Sequence, residues 1–235
     1  MKTWMLIKND LKFQYRHGFY MAYFVLTLML LMLLSLFSGL AKEQAGMILL
    51  LTEISSFGST FVAATIVLEK EQRLYDTLFV TPINIHSFLQ AKILSLAAPA
   101  FISGTILFAV SFGLNTIRLE FIAGIFLTSI LFSLLGLALA TRCQSINGFI
   151  LLSLPFGLVL AGLPIVHYLQ LIPMPFSILL PAQGALRLLN AGFEQTGWKD
   201  VLLAVLLLAG WVLVFYVWAE RWFSTYIVQK EATRN

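Results

Sequence analysis

Charge is scarce in this 235-residue chain: Lys, Arg, Asp and Glu make up 11% of it, and its mean hydropathy is +0.90. So few ionic groups leave too little polar surface to clothe a soluble globule, which excludes a water-soluble enzyme or a nucleic-acid-binding domain. There is one cysteine, Cys143, hence no intrachain disulfide. The three histidines, His17, His86 and His167, lie far apart near the ends of apolar runs, so no Cys/His metal cluster is indicated. The motifs G-x-x-x-x-G-K-[ST], H-E-x-x-H and G-x-S-x-G are all absent. No catalytic residue, metal or cofactor is expected, and any nucleotide hydrolysis must come from another chain.

What the chain does have is apolar runs of about 20 residues along its whole length, the length that spans a bilayer. They predict one all-α integral membrane domain over residues 1–235, with spans at 19–40, 46–68, 88–112, 121–140, 148–166 and 199–220. Residues 1–18 precede the first span. There Lys8, Lys12 and Arg16 repeat every fourth residue beside Trp4, Ile7, Leu11 and Tyr15, the spacing of an amphipathic helix lying on membrane lipid. A basic leader that only sets orientation is the alternative.

From Cys143 to Leu186 no charged residue occurs, which leaves room for one span or two. With one span, eleven Lys and Arg fall on the side of the N-terminus and four on the other. With two, the split weakens to ten and five. Prolines at 173, 175 and 181 also disfavour a straight second helix. The reading is therefore six spans in the cell membrane with both termini cytoplasmic, and residues 167–197 as extracytoplasmic short helices that re-enter the bilayer without crossing it.

Between the second and third spans lies the longest polar stretch of the interior, residues 69–82, holding Glu69, Lys70, Glu71, Arg73 and Asp76. A segment so charged must sit in water. Continuous with two stiff helices, it can pass the movement of a cytoplasmic partner into the bilayer. The plainer alternative is an ordinary solvated loop.

This stretch resembles the cytoplasmic coupling segment of ABC-2 type permeases, whose pattern is roughly E-R-E-R-G-T-L-E-x-L-x-x-[ST]-P. Glu69, Lys70, Glu71, Asp76, Leu78, Thr81 and Pro82 stand at matching places, while Arg73 and Leu74 replace the usual Gly-Thr. Pro181, Arg187 and Leu189 also match that family's P-x-x-x-x-x-R-x-L segment. The resemblance, closest to the small permeases associated with drug or antibiotic export, implies a permease subunit of an ATP-driven exporter. It would work with two ATPase subunits and a second permease, an identical copy of this chain. Coupling would run through a short helix bearing Glu69, Glu71, Asp76, Leu78, Phe79 and Pro82.

Two other classes remain open: a carrier or channel driven by an ion gradient, and a membrane assembly factor without cargo. Gradient-driven carriers place several ionisable groups at mid-membrane, and this chain has one, Glu53. In a regular helix Glu53, Ser56 and Thr60 share a face, about 10 Å below the outer end of the second span for Glu53. They are the candidate lining of a substrate path. Ser55, Ser59 and Ala63 form an adjacent small-residue stripe suited to close helix packing. Glu53 either serves cationic or zwitterionic cargo or only fixes that packing.

Overall fold

A backbone placed in hydrocarbon must satisfy its own hydrogen bonds, so the apolar runs become helices. A computed structural model describes residues 2–75, 85–193 and 197–228, and among these every regular element is helical. Among the described residues, five helices are long and apolar enough to cross a membrane. A sixth crossing follows if the first two helices count as one bent pair. The chain is a multi-pass membrane protein.

Helix α1 (Lys2–Arg16) is followed by α2 (Phe19–Ser35) at an angle of 65°. The bend falls at Gly18, whose φ of +75° suits only a residue without Cβ. Lys8, Lys12, Arg16, Trp4 and Tyr15 are exposed on α1, while Gln14 is buried against the bundle.

Helix α2 has 17 residues, about 25 Å at 1.5 Å per residue, a little short of a ~30 Å hydrocarbon core. It ends at Ser35, and α3 (Gly39–Glu71) starts after a three-residue turn. This corrects the expected boundaries of 19–40 and 46–68. Hydropathy does not register the turn, because Leu36, Phe37, Gly39 and Leu40 continue the apolar run through it. Backbone conformation makes it, with Ser38 extended and Gly39 at φ +58°. Lys42 thereby falls near the start of α3, and its ammonium donates to Ser111 O (2.9 Å), close to the C-terminal end of α4 (Ile85–Phe112). A cation there complements the helix dipole.

Pro99 lies inside α4 and lacks the N–H that would bond to Ser95 O. Gln14 of α1 supplies the missing donor through Nε2 at 3.1 Å. A proline that would leave a buried carbonyl orphaned thus becomes the point where the N-terminal helix attaches.

Helix α5 (Leu119–Arg142) is the centre of the bundle and touches α3, α4, α6 (Ile146–Tyr168), α7 (Pro181–Asn190) and α8 (Trp198–Phe223). The small-residue stripe meets it as expected. Ser55, Ser59 and Ala63 are all buried, and a Cβ placed on Gly136 of α5 would stand 2.7 Å from Ser59 O. Region 167–197 contributes a 3-10 helix, Pro175–Leu179, and α7, most of which is buried. Near the end of α8, Trp218, Trp222 and Tyr226 meet edge to face in sequence, with the Arg142 guanidinium 4.9 Å from the Trp222 ring.

Candidate functional site: the coupling segment and two membrane cavities

Glu69 and Glu71 occupy the last turn of α3 and point in different directions. Glu71 is exposed. Glu69 is 3% exposed and forms a close ion pair with Lys92 of α4, which is itself 2% exposed. Lys92 also reaches Asp10 of α1 at 3.2 Å. Ser95 donates to the other Asp10 oxygen at 3.0 Å, and the Tyr75 hydroxyl donates to Glu69 Oε2 at 2.5 Å. Burial, and after it the neighbouring Glu69 charge, push the Tyr75 hydroxyl pKa well above its usual value, so it stays a proton donor. One ammonium thus sits between two carboxylates from two other helices, and together they tie α1, the end of α3 and the start of α4 into one unit.

From the sequence, Glu69 is expected to face a partner. The structure turns it inward, because Lys92 and Tyr75 satisfy it there. Asp10 and Lys92 escaped that reading. The available signal was a lone lysine in the otherwise uncharged stretch 83–117, with no neighbour of opposite sign on its own helix. Asp76, Leu78, Phe79 and Pro82 lie outside the described residues.

The turn after α3 also accounts for the departure at Arg73. This residue has φ +54°, the left-handed conformation that favours glycine, at the place where the coupling pattern carries Gly. An L-residue there costs about 1–2 kcal/mol, partly offset by the roughly 0.5–1 kcal/mol of extra chain freedom a glycine loses on folding. Arg73→Gly is therefore expected to leave thermal stability equal or slightly higher, whereas Arg73→Val should lower it clearly. Unfolding of the purified variants in the same detergent measures both. Nearby, the Lys70 ammonium lies 2.7–3.0 Å from the carbonyls of Ala140, Thr141 and Cys143, capping the C-terminal end of α5.

Within the membrane part, α3 contains a π turn, Glu53–Phe57, in which Gly58 N bonds back to Glu53 O. The extra residue in that turn rotates everything after it by about one helical position relative to Glu53. Glu53, Ser56 and Thr60 therefore do not share a face, contrary to the expectation from a regular helix. Ser56 and Thr60, with Ser55 and Ser59, line a cleft of ≈ 630 Å³ against α5 and α6, where Ser153 stands on the facing wall. The Ser59 and Thr60 hydroxyls donate to Ser55 O (2.6 Å) and Ser56 O (2.7 Å) of their own helix. With the protons spent on the backbone, the oxygen lone pairs remain as acceptors.

Glu53 is fully buried on the other side, where the Thr27 hydroxyl of α2 lies 3.4 Å from Oε1. Thr27 is at the middle of α2, and Glu53 follows the start of α3 by fourteen positions, so the carboxylate sits near mid-membrane rather than about 10 Å from its outer face.

A family model described as the fluoroquinolones export permease protein family matches residues 1–231 of the chain. Among curated proteins, the fluoroquinolones export permease proteins of two Mycobacterium tuberculosis strains, CDC 1551 / Oshkosh and ATCC 25618 / H37Rv, are each 33% identical to it over 147 residues. The match spans 62% of this chain and 62% of each relative.

Proposed function

Because the chain belongs to the fluoroquinolones export permease protein family, we propose that it is the permease subunit of an ATP-driven exporter, with both termini in the cytoplasm. Fluoroquinolone-like drugs are the first cargo to test, given the names of its relatives. ATP would be hydrolysed by a separate pair of ATPase subunits that dock on residues 69–82. A second copy of the permease would close the cleft beside Ser56 and Thr60, whose rim carries the exposed Ile150, Leu154 and Leu158. That cleft is the candidate cargo path. Residues 167–197 would re-enter the membrane from outside.

The observation that carries the reading is the cluster of Asp10, Glu69 and Lys92. A solvated loop has no need of a buried ion pair at its root. A segment that transmits force does, because a push on it must move α1, α3 and α4 together. Glu69 thus serves as the internal anchor of the segment and Glu71 as its exposed face, with Asp76, Leu78, Phe79 and Pro82 assigned to the docking surface on the resemblance.

The test is reconstitution. The pure chain is expected to show no ATP hydrolysis, with transport appearing only when an ATPase subunit is added. Glu71→Ala should lower transport per ATP hydrolysed at least five-fold while the permease stays folded in the membrane. Drug uptake into inverted vesicles, measured beside phosphate release, decides it. Unchanged transport in Glu71→Ala and in Leu78→Asp would return the segment to an ordinary loop.

A further inference from the structure

A second cavity lies on the side of α3 away from the cargo cleft. It is a narrow groove of ≈ 180 Å³ between α2 and α4, room for a slender chain rather than a bulky ring system. Phe24, Leu28, Ile102 and Ile106 on its walls are exposed, so it opens toward lipid. Thr27 and Ser103 are the aliphatic hydroxyls on its lining, beside the rings of Tyr20 and Tyr23, and Glu53 lies behind them.

Hydrogen-bond accounting gives the groove a definite chemical character. Thr27 donates to Tyr23 O at 2.8 Å and Ser103 to Ala100 O at 3.2 Å, so both hydroxyls face outward chiefly as acceptors. Among the described residues, Glu53 Oε2 has no hydrogen-bond partner although its residue is 0% exposed. The Tyr23 hydroxyl, on a ring that lines the groove, is also buried without one. Buried polar atoms in hydrocarbon are expected to be satisfied, so a buried Glu oxygen without a partner at mid-membrane leaves one hydrogen-bond position open. The π turn at Glu53 is a local irregularity of the kind that recurs at functional sites.

The geometry points to a binding site, entered from the bilayer, for an amphiphilic amine. Its protonated nitrogen donates to the Thr27 and Ser103 oxygens, and Glu53, in the layer directly behind those two hydroxyls, attracts the positive charge. Its alkyl or aryl body lies along Ile102, Ile106 and Leu28. The faces of Tyr20 and Phe24 add cation–π attraction. An alcohol of equal length fits the walls but supplies one donor and no charge, and a fatty acid brings a second carboxylate. The site is separate from the Ser56 and Thr60 cleft and stands or falls without the ATPase partnership.

The full-length permease in lipid nanodiscs is photolabelled with a decylamine carrying an alkyl diazirine, with the matching diazirine decanol as comparator, and labelled residues are located by mass spectrometry. The amine is expected to label α2 and α4 around Phe24, Leu28, Ile102 and Ile106, at least five-fold more than the alcohol, with competition by excess dodecylamine. Glu53→Gln should bring the amine down to the level of the alcohol, and Ile102→Trp, which fills the groove, should remove both signals. Thr27→Val serves as a second probe of the same site should Glu53→Gln fail to fold. Ser56→Ala with Thr60→Val should change nothing here. Equal labelling by amine and alcohol, indifference to Glu53→Gln or Thr27→Val, or dependence on Ser56 and Thr60 would overturn the assignment. So would a cross-link joining α2 of one copy to α4 of another.

Discussion

Lys92→Met is expected to destabilise the permease by about 3–5 kcal/mol, because it leaves Glu69 buried, and Asp10 half-buried, without their shared cation. At roughly 2–4 °C per kcal/mol for a chain of this size, the unfolding midpoint in detergent should fall on the order of 10 °C. The cost comes from stranding the partners rather than from losing a favourable bond. A triple variant, Lys92→Met with Asp10→Asn and Glu69→Gln, should accordingly recover most of that stability, since neutral groups of similar shape carry no stranded charge. It should not recover coupling, measured as drug moved per ATP hydrolysed, because the ionic tie between α1 and the root of the coupling segment is gone. Normal coupling in the triple variant would show that the cluster only holds the fold.

Gly136→Ala is expected to be damaging despite adding a single methyl group. Its Cβ would meet Ser59 O at 2.7 Å and Ser59 Cα at 2.9 Å, both backbone atoms of α3, so no side chain can swing aside and the two helices must separate. Overpacking of this kind costs about 1–3 kcal/mol, and a larger residue costs more. Because Ser59 also lines the cleft beside Ser56 and Thr60, the shift should reshape that space and lower drug transport as well as stability. Gly210 of α8 provides the control: a Cβ there meets nothing within 4 Å, so Gly210→Ala should stabilise by roughly 1 kcal/mol through helix propensity alone. Parallel melting curves of the two variants check the contrast. Equal behaviour would mean that α3 and α5 are not held in close approach.

Two buried partnerships and one turn trace back to sequence features that do not say what completes them. Pro99 announces an orphaned carbonyl at Ser95, but nothing local says that Gln14, 81 positions earlier, will satisfy it. Lys92 is visible as a lone cation, yet its carboxylates stand 23 and 82 positions away. Arg73 departs from a glycine, and only its φ of +54° shows that the turn kept the glycine's shape.

The sequence by itself determined that the chain is a helical membrane protein and where its apolar runs lie. It also located the charged segment at 69–82 and the stripe of Ser55, Ser59 and Ala63. These follow from composition and short-range periodicity, because hydrocarbon forces apolar runs into helices and water claims charged ones. Tertiary structure decided the rest. It ended α2 at Ser35, turned Glu69 inward to Lys92, and, through one extra residue in the π turn at Glu53–Phe57, buried Glu53 toward α2 while Ser56 lines the cleft. The reason is common to all three. A helical wheel carries phase forward only while the helix stays regular, and a turn, an ion pair across helices or a π turn is chosen by packing against segments distant in the chain.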